Sequence, residues 1–143
     1  MTTNAITRPA PHISRALNIG LWSAQSLIFV AFVVFGCMKM FMPVDQLAAM
    51  WVWPGQVPVP FLRFMGIVDA AGGVGVLLPA LTRIQPRLTV LAALGCTALQ
   101  IAAIIFHVSR GEAFVTPLNF VLLALSAFIL WGRAKKAQIT PRG

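Results

Sequence analysis

The sequence has little charge of any kind and very little negative charge. Charged residues form 10% of the 143-residue chain, against about a quarter in ordinary soluble domains, and only three of them are acids. Hydrophobic residues form 59%, and the mean hydropathy is +0.86. So few charged side chains cannot give a domain of this size a water-facing surface. The composition is therefore typical of a membrane protein.

Cysteine is scarce as well, with two in the chain. The chain has four long apolar segments, described below. Cys37 falls near the end of the first (about residues 17–41) and Cys96 near the middle of the third (about 87–109), which separates them by about 10 Å in height at about 1.5 Å per helical residue. A disulfide tolerates a Cα separation of only about 7 Å. The sequence thus argues against a disulfide framework and against any thiol oxidoreductase that works alone with paired cysteines.

Histidine is equally scarce, with two in the chain. His12 precedes the first apolar segment and His107 closes the third, on opposite sides of a membrane, so the two cannot hold one haem. The histidines and acids also lack the usual spacing of metal ligands. We therefore expect no metal site.

Four long apolar segments account for most of the chain. Three of them hold 20 or more residues without Asp, Glu, Lys or Arg, namely Leu17 to Met38, Leu88 to Ser109 and Ala113 to Gly132. The fourth, Phe61 to Leu81, contains only Arg63 and Asp69. About 20 apolar residues cross a bilayer core as a helix. The sequence predicts an all-α integral membrane protein, a bundle of four transmembrane helices at about 17–41, 61–81, 87–109 and 117–132.

The longest connection, residues 42–60, joins the first two spans and is rich in proline. Asp45 is suited to cap a short interfacial helix at about 46–53. Trp51 and Trp53 suit the membrane interface, where tryptophan is enriched. Two interpretations stay open, a lid over the outer mouth of the bundle and a simple interfacial anchor.

Positive charge is distributed unevenly between the connections. Eight of the eleven basic residues lie before the first span, between the second and third, or after the fourth: Arg8, Arg15, Arg83, Arg87, Arg133, Lys135, Lys136 and Arg142. Lys39, Arg63 and Arg110 share the other side with Asp45 and Glu112. By the positive-inside rule, we expect both termini to be cytoplasmic.

The segments before the first span and after the fourth are predicted to be cytoplasmic tails of different character. Residues 1–14 lack an apolar period and are expected to form a disordered cytoplasmic tail. Residues 134–143 form a basic cytoplasmic tail that, with Arg133, lies on anionic lipid headgroups. A nucleic-acid partner is not expected, because the net charge of +8 flanks the spans instead of forming a base-reading surface.

Asp69 is the one acid inside a span, about 12 Å from the Phe61 end by helical rise. Gly66, Gly72 and Gly73 share its face, which allows neighbouring helices to approach and directs the acid toward protein. A buried carboxylate needs a proton or a partner. Lys39 is the best candidate partner, although rise alone leaves it about 8 Å higher, a gap that closes only if the boundaries shift.

Two of the spans repeat polar residues every seven positions, which places each series on one stripe of its helix. The first span has Asn18, Gln25 and Lys39, and the fourth has Asn119, Ser126 and Arg133. We expect such stripes to face the bundle, where Asn18 and Gln25 form hydrogen bonds between helices.

Alternating topology brings polar residues from all four spans into the outer half of the membrane. They are Lys39, Asp69, Gln100, His107 and Asn119. Ionisable residues within spans often mark a pathway or a site, yet buried polar networks also fix helix pairing without any chemistry. A ligand site and a purely structural network therefore both stay open, and no residue is identifiable as catalytic.

Several local motifs resemble the DoxX-like membrane proteins over about Leu17 to Arg133. They are Gly36-Cys37-Met38-Lys39, Arg63-Phe64-Met65-Gly66-Ile67-Val68-Asp69 with Gly72 and Leu77-Leu78-Pro79-Ala80-Leu81 after it, and Phe106-His107 with Arg110-Gly111-Glu112 after it. The resemblance implies a multi-pass protein of the bacterial inner membrane. It also implies that Asp69 stands where such proteins usually have the longer Glu.

The family's namesake is a subunit of a thiosulfate:quinone oxidoreductase, and some relatives are linked to thiol and oxidative-stress defence. The resemblance implies an accessory or membrane-anchoring subunit in redox-linked metabolism, with an oxidoreductase partner or a homo-oligomer. A quinone or another small apolar ligand would lie near Asp69, Lys39 and His107. Because the chain shows no redox centre of its own, we do not expect it to be an enzyme in isolation. The alternatives are a small-molecule or proton-coupled transporter and a purely structural membrane protein.

Overall fold

The computed structural model describes residues 12–143. Most of the tail predicted at 1–14 lies outside these residues, and its last three, His12 to Ser14, are exposed ahead of the first helix. Ser14 caps that helix, because its hydroxyl oxygen accepts a hydrogen bond of 3.0 Å from the Leu17 amide.

Five α-helices follow, four of them long. They are α1 (Arg15–Phe41), α2 (Val44–Trp51), α3 (Val59–Thr82), α4 (Arg87–Ser109) and α5 (Thr116–Trp131). Short 3₁₀ turns at Trp53–Gln56 and Ala113–Val115 precede α3 and α5, and a π-helical turn at Gly132–Lys136 extends α5. The part of the chain that the structure describes contains no strand. Four of its helical segments are long and apolar enough to cross a membrane, which confirms the predicted all-α bundle.

The long helices form a closed ring, in which α1 packs on α3 and α5, and α4 packs on the same two. Helices α1 and α3 are antiparallel, because Gly36 of α1 meets Gly66 of α3 while Phe29 meets Gly73. Short connections make α3, α4 and α5 antiparallel in turn. As a result, α1 begins and α5 ends at the same end of the ring, here called the terminal end. The opposite end, where α1 ends and α2 lies, is here called the α2 end.

Large apolar side chains cover the outside of the bundle, and several polar side chains are buried within it. Apolar side chains such as Ile67 and Ile105 lie on the outside, with 55% and 63% of their surface exposed. Gln25, Asp69 and Gln100 are buried. This distribution suits a bundle whose outer face meets lipid and whose helices are joined by small and polar residues.

The backbones of α1 and α3 touch at two glycines. A Cβ atom on Gly36 would lie 2.6 Å from the Gly66 carbonyl oxygen, and one on Gly66 would lie 2.7 Å from the Gly36 carbonyl oxygen. Neither position accepts a side chain without separating the helices. Lys39 and Asp69 follow these glycines by three residues, on the same helix faces, so the close contact also brings the two charged residues together.

The short helix α2 begins and ends two residues earlier than predicted. The extended backbone of Pro43 sets its start, so Asp45 lies in the first turn and the predicted cap is wrong. The helix ends because Val52 has a backbone φ of 61°, and Trp53 therefore belongs to the next turn. The boundaries of the four long helices differ from the predicted ones by at most two residues, although the π-helical turn carries α5 on to Lys136.

Candidate functional site

A cavity of about 480 Å³ lies between the four long helices at the α2 end. The five polar residues singled out in the sequence, and both tryptophans of the connection, line it: Lys39, Asp69, Gln100, His107, Asn119, Trp51 and Trp53. The rest of the wall is mainly apolar and aromatic, as in Phe32, Leu99 and Phe106. The structure thus brings all of these predicted residues to one space.

Lys39 and Asp69 form an ion pair across α1 and α3. The Nζ atom of Lys39 donates to Oδ2 of Asp69 over 2.5 Å, and the two side chains keep 16% and 8% of their surface exposed. Side chains on a helix lean toward its N terminus. Because α1 and α3 are antiparallel, the Lys39 side chain leans along the bundle toward the terminal end, and the Asp69 side chain leans toward the α2 end. This opposed tilt closes the gap that helical rise alone predicted, without a large shift in the boundaries.

Gln100 and Asn119 form a second polar pair, between α4 and α5. The Asn119 amide nitrogen donates to Oε1 of Gln100 over 2.9 Å. Gln100 is buried, whereas Asn119 is half-buried. The pair gives the α4 and α5 side of the cavity an amide group, opposite the ion pair of α1 and α3.

His107 lies at the end of α4 and is held by the turn that follows. Its Nδ1 atom lies 3.1 Å from Oε2 of Glu112, whose other oxygen accepts hydrogen bonds of 3.3 Å from the Arg110 guanidinium. Hydrogen bonds from Arg110 and then from His107 lower the pKa of the Glu112 carboxyl. The carboxylate therefore fixes the orientation of the imidazole that lines the cavity.

Trp53 lies between Lys39 and His107 at the α2 end. Its ring is 5.6 Å from the Lys39 Nζ atom and packs edge-on against the rings of Phe106 and His107, at 6.1 and 6.5 Å. The residue before it, Val52, has a left-handed φ of 61°, a conformation that is strained for a β-branched side chain. The fold therefore holds Trp53 over the cavity at a cost in backbone strain.

Arg63 has a structural role that its sequence position did not indicate. Its guanidinium donates to the carbonyl oxygens of Lys39 and Met42 over 2.6 and 2.8 Å. These carbonyls are left without partners where α1 ends. Arg63 thus fixes the end of α1 that carries Lys39, although it does not itself line the cavity.

Arg133 lies inside the bundle and not in the basic tail. The prediction that it lies with the basic tail on lipid headgroups is wrong, because only 4% of its surface is exposed. Its guanidinium donates to Gln25 over 2.8 Å and to Asn18 and the Ala137 carbonyl over 3.3 and 3.2 Å. The repeat of seven from Asn119 gave the signal, since it places Arg133 on the stripe that faces the bundle.

Polar atoms around the cavity keep unused hydrogen-bonding capacity within the described chain. Lys39 directs one of its three N–H donors to Asp69, and the Gln100 amide nitrogen and the His107 Nε2 atom have no protein partner among residues 12–143. In the same residues no three His, Cys, Asp or Glu side chains come together as metal ligands. The cavity thus combines a mainly apolar wall with a few polar atoms that have free hydrogen-bonding capacity.

Four apolar helices around a cavity with few polar groups define a small multi-pass membrane protein. The family model of the DoxX-like family matches residues 23–129, which include every cavity residue named above. The protein belongs to the DoxX-like family, and the resemblance read from its motifs is confirmed. A comparison with curated proteins found no match, and neither did a comparison with solved structures.

Proposed function

We propose that this DoxX-like membrane protein binds a small apolar molecule with hydrogen-bond acceptors in the cavity at its α2 end. The observation that supports the proposal is the convergence of the Lys39–Asp69 pair, the Gln100–Asn119 pair and His107 on one mainly apolar space of about 480 Å³. Ligand sites commonly have this size and this ratio of apolar wall to polar groups.

A quinone is the ligand class that fits this wall best. Its ring suits the aromatic lining, and its two carbonyl oxygens need donors, which Lys39 and the Gln100 amide nitrogen have to spare. A bound quinone supplies electron and proton transfer within the membrane. The residues of this chain would hold and orient the ring, while Trp53 acts as a lid that keeps water from the carbonyl oxygens.

The cellular role that follows is that of an accessory or membrane-anchoring subunit in redox-linked metabolism of the bacterial inner membrane. The reacting partner would be an oxidoreductase that shares the ligand. Purification from native membranes in mild detergent should retain either that partner or a quinone. Isolation of a bare homo-oligomer would count against this role.

The binding proposal is tested by filling the cavity. Ala103 of α4 lines the cavity, and Ala98 of the same helix is exposed on the outside. With a short-chain benzoquinone as the probe, wild type should show saturable quenching of tryptophan fluorescence, because Trp51 and Trp53 line the space. Ala103→Phe should abolish this quenching, and Ala98→Phe should leave it unchanged.

The contribution of the polar groups to binding is tested separately, with one variant at Asp69 and a control variant at Asp45. Asp69→Asn removes the partner that holds Lys39, and binding of the same quinone should weaken by about tenfold, the usual effect of losing a buried polar contact. Asp45→Asn changes an exposed acid of α2 and should not alter binding. Equal binding by wild type and Ala103→Phe, or no saturable quenching at all, would contradict the proposal.

A second candidate function is proton-coupled or small-molecule transport, which the position of an ion pair on a cavity wall inside a span favours. In proteoliposomes, flux should then vanish in Asp69→Asn while the protein still folds. If neither flux nor quinone binding is found, the polar residues only join the helices.

A further inference from the structure

A second cavity, of about 380 Å³, lies at the terminal end of the bundle, on the connection between α3 and α4. Its wall includes three arginines, Arg83, Arg87 and Arg142, and no acid. We call it the arginine pocket. It is independent of the cavity at the α2 end and of the function proposed for that cavity.

The arginine pocket is built by the C-terminal segment folding back onto the α3–α4 connection. The Arg142 amide donates to the Arg83 carbonyl oxygen, and the Arg83 side chain donates to the Thr140 carbonyl oxygen, both over 2.9 Å. In the connection, Arg83 and Gln85 adopt left-handed φ angles of 58° and 50°. Two non-glycine residues in this conformation cost free energy, which the fold tolerates only where the surroundings require that shape.

No acidic side chain lies at this pocket. The sequence has three acids, and all of them, Asp45, Asp69 and Glu112, lie in the α2 end of the bundle or in connections at that end. The first turn of α4 contains no acid and begins with Arg87. A helix N terminus favours negative charge, so an arginine there adds to the positive potential instead of neutralising it.

The surroundings of the pocket select the kind of anion. Thr82 and Arg87 are the ends of two spanning helices, so the pocket lies at the level where a membrane surface meets the bundle. Ile84 and Leu88 next to the arginines are 63% and 48% exposed. Such neighbours suit acyl chains and glycerol better than bulk water.

We propose that the arginine pocket binds the phosphate group of an anionic phospholipid in the leaflet at the terminal end. Guanidinium groups form paired hydrogen bonds with phosphate oxygens, and three of them around one pocket give it a fixed anion site. The bound headgroup supplies a counter-charge to the three arginines, and it holds the C-terminal segment against the α3–α4 connection.

The test compares two double variants that remove the same charge from the same end. Arg87→Gln with Arg142→Gln removes two pocket guanidiniums but keeps the backbone and Arg83 contacts that fold the segment back. Arg15→Gln with Lys136→Gln is the control, since both are exposed at the terminal end and neither lines the pocket. Thermal unfolding in a neutral detergent should be the same for both, which shows that the pocket variant still folds.

Native mass spectrometry then measures lipid retained by each protein, with phosphatidylglycerol and phosphatidylcholine as probes. Wild type should prefer phosphatidylglycerol. The pocket variant should lose at least about tenfold in affinity, because it loses charge-assisted hydrogen bonds to phosphate. The control loses only general attraction to the basic end, and its loss should be several times smaller. An equal loss in both variants would overturn the proposal, because it would show attraction to the whole basic end.

A comparison with inorganic phosphate shows whether the pocket binds the phosphate group of a lipid or a free phosphate ion. In a neutral detergent, sodium phosphate at constant ionic strength should raise the unfolding temperature of wild type less than phosphatidylglycerol does. If phosphate alone stabilises wild type fully and phosphatidylglycerol shows no preference over phosphatidylcholine, the lipid proposal is wrong and the pocket takes a soluble anion.

Discussion

Lys39 and Asp69 stabilise the protein only as a pair. Asp69→Asn leaves a lysine without its counter-charge inside the bundle, and it should lower the free energy of unfolding by about 3 kcal/mol. Lys39→Met with Asp69→Asn removes both charges, and it should be more stable than Asp69→Asn alone. Thermal unfolding in mild detergent measures all three proteins. A double variant as unstable as the single one would show that the pair does not act as a unit.

Arg133 depends on the shape of its guanidinium as well as on its charge. Arg133→Lys keeps the charge but cannot reach Gln25, Asn18 and the Ala137 carbonyl together, so the variant should lose about 1–2 kcal/mol of stability. The reverse exchange at an exposed position, Lys136→Arg, should change stability by less than about 0.5 kcal/mol. The same unfolding assay compares them. Full stability of Arg133→Lys would refute the role of these contacts.

Glu112 makes the stability of the α4–α5 turn depend on pH. Its pKa is lowered from the ordinary value of 4.5, chiefly by the hydrogen bond from Arg110 and then by that from His107. Its contribution is therefore complete above pH 4.5 and is lost as the pH falls through the lowered pKa. The unfolding temperature of wild type should exceed that of Glu112→Gln above this pH, and the difference should close on acidification. A difference that stays constant would mean that the carboxylate charge is not involved.

Single residues were predictable where a repeat fixed their helix face. Lys39 and Asn119 stand in repeats of seven, Asp69 and Gln100 could be grouped with them by depth in the membrane, and all four line the cavity. The direction in which a side chain leans decided the distance between Lys39 and Asp69, and helical rise does not contain that information. Arg133 was predicted to lie with the tail because it is followed by other basic residues. Its position in the repeat of seven from Asn119 was the better guide.

Helix contacts should respond sharply to one methyl group at Gly66. A Cβ atom there would lie 2.7 Å from the Gly36 carbonyl oxygen, so Gly66→Ala should separate α1 from α3 and cost about 1–3 kcal/mol. Gly95 of α4 has nothing within 4 Å of such an atom, and Gly95→Ala should be neutral or stabilising by up to about 1 kcal/mol. Unfolding temperatures separate the two cases. Equal stability of both variants would show that the contact is not tight.

Helices were more predictable than the connections between them. An apolar run of 20 residues determines a span almost by itself, because the bilayer sets its length. The start of α2 at Pro43 and its end at Val52 depend on backbone angles that tertiary contacts impose, such as the packing of Trp53 on Phe106. The C-terminal segment folds back onto Arg83, and no sequence pattern predicted this contact.

The basic residues predict the orientation of the whole protein, and chemical labelling can check it. We expect the terminal end to face the cytoplasm. In a chain with Cys37→Ser and Cys96→Ser, a membrane-impermeant maleimide should label Ala113→Cys in intact cells. It should label Lys136→Cys only after permeabilisation, while the parent without cysteine stays unlabelled. Labelling of Lys136→Cys in intact cells would reverse the predicted orientation.

The ion pair between α1 and α3 also bears on how the chain enters the membrane during synthesis. An aspartate well inside the bilayer, as Asp69 is, adds up to about 3 kcal/mol to the insertion of the helix that carries it. Since Lys39 precedes Asp69 in the chain, the lysine has already been synthesised when the segment that carries Asp69 leaves the ribosome. We therefore expect the first two long segments to enter the membrane as one hairpin, in which Lys39 lowers the insertion cost of Asp69.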